Sequence, residues 1–399
     1  MLRRLPGLPG GGGAGREPVS PGAGRTTTGM SAMSSSEQKD LTVSVPWSVQ
    51  EDLLLDVAAP TLEESVALGE TESWFYLREN YGGRPFLRLR FATRSPSVER
   101  RLKSRIMEHI GSAASDDPFE HQPYNHEHDW LGGEAGLGLA EAFWTETTPL
   151  ALRTLRATRG DRALRLAAAF DFLVCSGVLL APHLPPPVAK FGFKAGYLSY
   201  LATFEGYMLL IRDPEGTRAK HAQRYEQNRN LLRPRLRALV EQMQDPEGDL
   251  ADVPELAREW AVRLRGYLPA IRKGFDEGRF YLYATPRKAE TAKLTPSPDG
   301  LYRRPKVEWL ADLPEAPVAG IHRAIADNTY YQGMIREDRR FLASRLAQAY
   351  TNWHLYRLGF LLADRYTLFY LIARAFEEEY DLDAAELIRS VQPEAEVSG

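Results

Sequence analysis

Residues 74–91, WFYLRENYGGRPFLRLRF, decide the fold more than any other stretch of this chain. Their second half alternates apolar and basic residues after a Gly-Gly-Arg-Pro turn, and a period of two is typical of a β-strand. We therefore predict a hairpin over residues 71–92. On such a strand Arg88 and Arg90 share one face, and the leucines between them point to the other. Two arginines on one face could grip an anionic or carbonyl-rich substrate, although a solvated sheet face has the same pattern.

Elsewhere along the chain, apolar residues recur at helical spacing between segments rich in turn residues. A strand followed by a short helix is predicted within residues 40–60. The predicted fold class is α+β: a helix-rich single domain with a small antiparallel sheet and an inserted β-hairpin. The predicted helices cover residues 97–112, 135–157, 161–181, 195–212, 217–245 with a break near Pro234, 254–268, 337–357 and 362–380.

The composition limits the classes of function. The chain has 399 residues, 43% of them hydrophobic, which is enough for a substantial core. Its net charge is −3 and its pI is about 6.3, so binding to nucleic acid is not indicated. Cys175 is the single cysteine. An internal disulfide or a thiolate metal site is therefore excluded, and the apolar surroundings of Cys175 indicate a buried structural thiol.

Two segments bear on domain limits and location. Residues 1–42 are rich in glycine, proline and serine and are predicted to be disordered, with the folded domain over residues 43–390. The longest apolar run, residues 166–184, contains Asp171 and His183. We interpret this run as a buried helix rather than a membrane span. A cytoplasmic protein that does not bind a membrane is expected.

Neither of two local motifs predicts a cofactor. His121, His126 and His128 lie within residues 120–129, EHQPYNHEHD, and such spacing could hold a divalent ion. No second histidine or cysteine cluster supplies further ligands, so we favour a solvated or substrate-facing loop. The glycines of residues 132–138 follow no predicted strand and lack the Gly-Lys-Ser/Thr of a phosphate loop. We therefore expect no metal and no cofactor.

Four motifs occur in an order that resembles a known family. They are the L-R-L-R-F strand, LGG followed by GLGLAEAFW at residues 131–144, TTP at residues 147–149, and YTNWHLYRLG at residues 350–359. This order is similar to that of the C-terminal domain of lantibiotic dehydratases, which also occurs as stand-alone thiopeptide-type bacteriocin biosynthesis proteins. The resemblance covers roughly residues 70–380. It implies the helix-rich fold of the glutamate-elimination domain.

The departures from that family pattern indicate a particular branch. Glu127 stands where glutamate-eliminating members have a Glu, but Trp130 replaces their Arg. Arg357 matches the Arg of their N-R-L-G motif, whereas Asn352 replaces their His. The resemblance therefore favours the thiopeptide pyridine synthases, which join two dehydroalanines of a leader-bearing peptide in a formal [4+2] cycloaddition. Loss of water and of the leader then leaves a pyridine within a macrocycle.

Two other functions remain open from the sequence. One is glutamate elimination from glutamylated Ser or Thr on the same scaffold, which His354 could partly support. The other is a non-catalytic protein that binds a precursor peptide and delivers it to other enzymes. The family resemblance implies a leader-bearing modified precursor peptide as partner, and the sequence leaves a monomer and a homodimer equally open.

The predicted helix over residues 337–357 carries the best catalytic candidates. At about 100° per residue, Tyr350, His354 and Arg357 share one side of it. A cycloaddition of this kind needs a group that handles the proton of an iminol and of the leaving hydroxyl. We predict that Tyr350 is this donor, with Ser344 and His354 as helpers. The predicted substrate-binding residues are Arg88, Arg90, Glu127, Trp130, Asn352 and Trp353.

Residues 275–312 hold β-formers, turn residues and many basic residues, and we predict an inserted hairpin there. Leader peptides in the resembled family tend to be acidic. A basic hairpin could bind such a leader by charge or by adding a strand to it. The predicted leader-binding residues are Arg279, Arg287, Arg303 and Arg304.

Overall fold

The hairpin predicted over residues 71–92 is present in a computed structural model of the protein. The structure describes residues 36–81, 84–111, 117–119, 131–209, 211–243, 245, 248, 250–282 and 320–393. The strands are β1 (Glu37–Ser44), β2 (Thr71–Tyr81) and β3 (Arg84–Thr93). The helices are α1 (Trp47–Leu53), α2 (Ala59–Ala67), α3 (Pro96–Ile110), α4 (Gly133–Glu146), α5 (Thr148–Ala157), α6 (Arg162–Leu180), α7 (Pro186–Ala189), α8 (Leu198–Met208), α9 (Pro214–Gln242), α10 (Glu255–Asp276), α11 (Gly320–Asp327), α12 (Thr329–Glu337), α13 (Arg339–Arg357), α14 (Leu362–Tyr380) and α15 (Ala384–Arg389).

The three strands form an antiparallel sheet in the order β1-β3-β2, so β3 is its central strand. The α+β class, helix-rich with a small antiparallel sheet, is confirmed. One boundary was wrong: β1 starts at Glu37, inside the segment 1–42 that we predicted to be disordered. Residues 37–42 are held there because β1 pairs with β3 along its whole length. Residues 1–35 lie outside the described part of the chain.

Both faces of the sheet are covered. Leu87, Leu89 and Arg88 on β3 are all fully buried, although they point to opposite faces. On the Arg88 face, Phe75 of β2 packs against Trp144 of α4 with ring centroids 5.6 Å apart. A solvated face would leave every second residue exposed, and β3 does not show that pattern.

Two helices continue through a proline that the sequence suggested would break or end them. Helix α9 runs from Pro214 to Gln242 across Pro234, and α10 runs to Asp276 across Pro269. An interior proline removes one backbone hydrogen bond and costs about 3 kcal/mol. Both helices offset this cost by packing apolar side chains on either side of the proline. The buried residues include Leu232, Leu236 and Leu239 in α9 and Leu264, Leu268 and Ile271 in α10.

One segment predicted as a single helix is divided, and another begins where the sequence indicated. Residues 135–157 form α4 and α5, which meet at Thr147. The helix predicted over residues 337–357 is present as α13, Arg339–Arg357, and Asp338 is its N-cap residue. The Asp338 carboxylate accepts hydrogen bonds from the backbone N–H groups of Arg340 and Phe341 at 2.8 and 3.1 Å. This N-cap satisfies donors that the first helical turn leaves unpaired.

Helix α6 lies in the core, as predicted for residues 161–181. Cys175 is fully buried there, and burial raises the pKa of its thiol well above the usual range. Among the described residues, the helical segment Arg162–His183 is long and apolar enough to pass a membrane-span test. The most apolar 18-residue stretch of this segment is 67% buried inside the fold, as is usual for a core helix.

The predicted inserted hairpin begins differently from our expectation. Its first two residues, Phe275 and Asp276, complete α10 rather than a strand. Phe280 then packs back against Phe275, with ring centroids 5.8 Å apart. Residues 283–319, which include most of the predicted hairpin, lie outside the described residues.

Candidate functional site

Helix α13 has one buried arc and one partly exposed arc. At about 100° per residue, Ser344, Tyr350, His354 and Arg357 all fall within the buried arc. The predicted catalytic residues therefore point into the fold rather than out of it. The partly exposed arc carries Phe341, Arg345, Asn352, Trp353 and Tyr356.

Tyr350 is an enclosed phenol without a hydrogen-bond partner. Its side chain is fully buried and stacks on Phe143 with ring centroids 5.0 Å apart. No described group accepts or donates a hydrogen bond at its hydroxyl. Burial raises the pKa of Tyr350 far above its usual range, so the phenol keeps its proton at neutral pH. The group can act as a hydrogen-bond or proton donor, but not as a phenolate base.

His354 is a neutral imidazole between aromatic rings. It stacks on Trp260 at 4.4 Å and meets the edge of Phe172 at 5.3 Å. Burial, and then the charge of Arg357, hold the pKa of His354 well below its usual value. Neither ring nitrogen has a hydrogen-bond partner among the described residues. At neutral pH this imidazole can relay or accept a proton, but it does not start as a proton donor.

Ser344 lines a cavity of about 230 Å³ between α10, α13 and the end of the α6 segment. The Ser344 hydroxyl oxygen is buried, and no residue in the described part of the chain forms a hydrogen bond with it. The other lining residues are His183, Arg265, Leu268, Pro269, Arg272 and Ala343. Of the three predicted catalytic residues, Ser344 is the one that lines this cavity.

Arg357 joins two motifs of the family resemblance, TTP at residues 147–149 and YTNWHLYRLG at residues 350–359. Its guanidinium donates to the hydroxyl oxygens of Thr147 and Thr148 at 2.9 and 2.5 Å, and lies over the Tyr76 ring at 4.8 Å. Each threonine hydroxyl also donates to a backbone carbonyl of α4, which leaves its oxygen lone pairs for Arg357. No carboxylate among the described residues pairs with Arg357. Burial lowers its pKa to about 10.

Gly359, two residues further on, has a physical reason to be glycine. Its φ is +85°, a conformation that residues with a Cβ rarely adopt. A Cβ there would also overlap the Nη1 atom of Arg78, which is itself buried. The end of α13 is therefore fixed closely against β2.

The structure corrects the expected role of the two strand arginines. Arg88 and Arg90 share one face of β3, as predicted, but that face is not an open cleft. Arg88 is fully buried and forms ion pairs with Glu79 at 2.8 Å and Asp40 at 2.6 Å. Arg90 pairs with Glu141 of α4 at 2.7 Å. Arg88 thus bridges all three strands, and in this conformation it has no surface with which to grip a peptide.

The remaining predicted residues are dispersed. Asn352 lies on the partly exposed arc of α13, and its buried side-chain oxygen has no partner. Trp353, beside it, packs against Trp144 at 5.5 Å. Arg279 follows α10, where it pairs with Glu277 at 2.7 Å. Glu127, Trp130, Arg287, Arg303 and Arg304 lie outside the described residues.

Sequence analysis missed three further arginines. Arg345 lies at the centre of the partly exposed arc and makes no hydrogen bond or ion pair with a described residue, and burial lowers its pKa. The sequence did contain a signal for Arg345: it lies seven residues before Asn352, and residues seven apart share one side of a helix. Arg265 and Arg272 line the Ser344 cavity. Their spacing of seven residues on one helix was visible, but their proximity to α13 was not.

Comparison with solved structures supports the fold. TsrL is 83% identical, with a TM-score of 0.80, over 90% of this chain and 100% of that one. The pyridine synthase TbtD from thiomuracin biosynthesis is 19% identical, with a TM-score of 0.53, over 86% of this chain and 99% of that one. The tRNA-dependent lantibiotic dehydratase MibB from Microbispora sp. 107891 is 14% identical, with a TM-score of 0.42, over 89% of this chain and 29% of that one.

No curated protein matches the chain significantly. The family model described as lantibiotic biosynthesis dehydratase C-term matches residues 42–376, which include β2, β3, α13 and most of α14. Because this match spans far more than half of the sequence, the chain belongs to the lantibiotic biosynthesis dehydratase C-terminal family.

Proposed function

We propose that the protein is a pyridine synthase of thiopeptide biosynthesis. It would join two dehydroalanines of a leader-bearing peptide in a formal [4+2] cycloaddition, with loss of water and of the leader. Family membership supports a role in modifying such peptides, and the fold shared with TbtD supports the finer assignment. The observation that carries the proposal is the buried Tyr350 hydroxyl, which has no hydrogen-bond partner among the described residues and whose raised pKa keeps it protonated at neutral pH.

The reaction asks for proton handling and positioning more than for a strong base. One peptide carbonyl must take up an iminol form, and a hydroxyl must later leave from the new ring. Tyr350 serves as the proton donor for these steps, because its raised pKa keeps it neutral. The neutral His354 can accept the amide proton that is released when the iminol forms. Holding both dehydroalanines in near-attack geometry would supply several further kcal/mol.

The enclosure of Tyr350 has a consequence for substrate entry. Its ring is covered by Phe143, and Phe143 in turn meets the edge of Tyr267 at 4.9 Å. A peptide that reaches the Tyr350 hydroxyl must therefore displace at least one neighbouring side chain. A hydroxyl that is buried without a partner costs about 1–3 kcal/mol, which a substrate carbonyl would recover on binding.

A synthetic bis-dehydroalanine peptide with its leader tests the proposal. Mass spectrometry should show loss of water plus the leader with the unaltered protein. Tyr350→Phe should cut turnover by about 10²–10⁴-fold, because it removes the proton donor. Ser344→Ala and His354→Ala should have smaller effects. Tyr197→Phe is the matched control, because Tyr197 is also a buried tyrosine with an unpartnered hydroxyl but lies against α14.

The same assay separates the alternatives. If the protein removes glutamate from a glutamylated peptide and leaves the bis-dehydroalanine peptide intact, its reaction is elimination rather than cyclisation. Binding of the peptide without any change of mass would favour a delivery protein. Equal turnover by Tyr350→Phe and the unaltered protein would reject Tyr350 as the donor.

The segment 275–312 is the proposed leader-binding insertion. Arg279 is its described basic residue; it pairs with Glu277 and lies over the Phe280 ring. Deletion of residues 283–312 should raise the dissociation constant for the leader while the melting temperature stays near that of the full chain. Unchanged leader affinity would place the leader site elsewhere.

A further inference from the structure

The cavity beside Ser344 has a consistent electrostatic character. It lies where the turn Ala181–His183, helix α10 and helix α13 meet. Arg265, Arg272 and His183 all line it, and no acidic side chain is among its described lining residues. Every titratable group in the wall is therefore a potential hydrogen-bond donor or cation.

The donors in this wall have capacity for a ligand. Ser344 is 7% exposed, and its hydroxyl forms no hydrogen bond with any residue that the structure describes. Arg265 donates to the carbonyl of Gly248 at 3.1 Å, and Arg272 donates to Asp276 one helical turn away at 3.2 Å. A guanidinium has five N–H donors, so the contact with Asp276 does not use up Arg272. A carboxylate can accept from several such donors at once.

The size and the remaining walls limit what fits. At about 230 Å³ the cavity is smaller than the roughly 300–1,000 Å³ of sites for drug-sized ligands. It accommodates one side chain rather than a folded peptide. Leu268, Pro269 and Ala343 provide apolar walls for the methylene groups of such a side chain. Pro269 lacks a backbone N–H, which loosens the hydrogen bonding of α10 at this wall.

We propose that this cavity binds the carboxylate of one Asp or Glu side chain of the peptide substrate. The proposal rests on the proposed function for the nature of the substrate, but it concerns recognition rather than chemistry. An acidic residue held by Arg265 and Arg272 would fix the peptide register on α13. It would thereby set which dehydroalanines come near Tyr350.

Binding measured without turnover tests this proposal. The probe is a fluorescein-labelled, leader-bearing bis-dehydroalanine peptide, titrated by fluorescence anisotropy with Tyr350→Phe as the common background. Adding Arg272→Gln should raise the dissociation constant about 10-fold or more, because one charge-assisted contact is lost. Arg272→Lys should recover part of the affinity by keeping the charge. The matched control is Arg263→Gln on the same helix, whose arginine pairs with Glu146 away from this cavity.

The acidic residue itself is found by replacing each Asp or Glu of the peptide by its amide. A single replacement should raise the dissociation constant for the protein that retains Arg272. The same replacement should not raise it further for the Arg272→Gln variant. Equal weakening by every replacement, or by Arg263→Gln as much as by Arg272→Gln, would indicate long-range charge only and overturn the proposal. So would unchanged affinity of a folded Arg272→Gln. If the protein does not cyclise the peptide, the proposed function is wrong, but the binding results still test the carboxylate site. The two proposals can therefore be rejected independently.

Discussion

Two fully buried arginines, Arg88 in the sheet and Arg357 at the end of α13, show how differently one residue type can be held. Arg88 is neutralised by the carboxylates of Glu79 and Asp40. Arg357 is held by two threonine hydroxyls and a tyrosine ring, and no described carboxylate pairs with it. Accordingly the pKa of Arg88 is raised, whereas burial lowers the pKa of Arg357 to about 10.

The difference separates a structural charge from an uncompensated one. The Arg88 ion pairs join strands β1 and β2 through β3, so they stabilise the sheet. Arg357 keeps an unneutralised positive charge beside His354 and so helps to hold that imidazole neutral. Buried charges are normally paired, and an exception near candidate catalytic residues is a feature expected of functional sites.

The largest expected effect is on stability in the sheet. Arg88→Met should lower the free energy of unfolding by about 3–5 kcal/mol, because it leaves the Glu79 carboxylate buried without its partner. Urea unfolding followed by circular dichroism measures this change. The control is Arg94→Gln, whose exposed pair with Glu72 is screened by solvent and should contribute far less to stability.

Adding Glu79→Gln to Arg88→Met should restore part of the loss, because the stranded charge is removed. A folded, fully stable Arg88→Met would show that the pairs do not hold the sheet. It would also reopen the possibility that Arg88 binds substrate.

A smaller effect on stability is expected at α13. Arg357→Met should change the free energy of unfolding by less than about 2 kcal/mol, because the lost hydrogen bonds are offset by removal of an unpaired buried charge. The same unfolding experiment applies. A loss as large as that of Arg88→Met would mean that both arginines are structural, and the contrast between them would disappear.

The smallest effect concerns pH. His354 titrates near 6.5 when unfolded and well below that when folded, so below pH about 6.5 the unfolded state binds a proton that the folded state does not. The resulting stability is present above pH 6.5. It falls by up to about 1.4 kcal/mol per pH unit as the pH drops towards the folded pKa.

Replacement of His354 by Phe should flatten this acid slope, measured as melting temperature or unfolding free energy between pH 7 and 5. His109→Phe, at an exposed position, is the control. Arg357→Met should raise the pKa of His354 in an NMR titration, because the neighbouring positive charge is gone. No change in either measurement would contradict the electrostatic link between these two residues.

The sequence predicted the sheet and α13 more successfully than their surroundings. The alternation in β3 correctly placed Arg88 and Arg90 on one face. It gave no indication that α4 covers that face, because Glu141 and Trp144 lie more than fifty residues further along the chain. The interior prolines of α9 and α10 led to a wrong prediction of where these helices break or end. Local propensity does not include the tertiary packing that offsets the cost of an interior proline.

Periodicity by itself determined which residues of this protein share a strand face or a helix side, because side-chain direction follows from backbone geometry. The tertiary structure alone decided which of those side chains are buried, paired or left uncompensated. Arg357 meets Thr147 across 210 residues and Arg88 meets Asp40 across 48. Electrostatic environment depends on such distant groups, and so Arg88 is part of an ion-pair network, whereas Arg357 carries a buried charge that no described carboxylate pairs with.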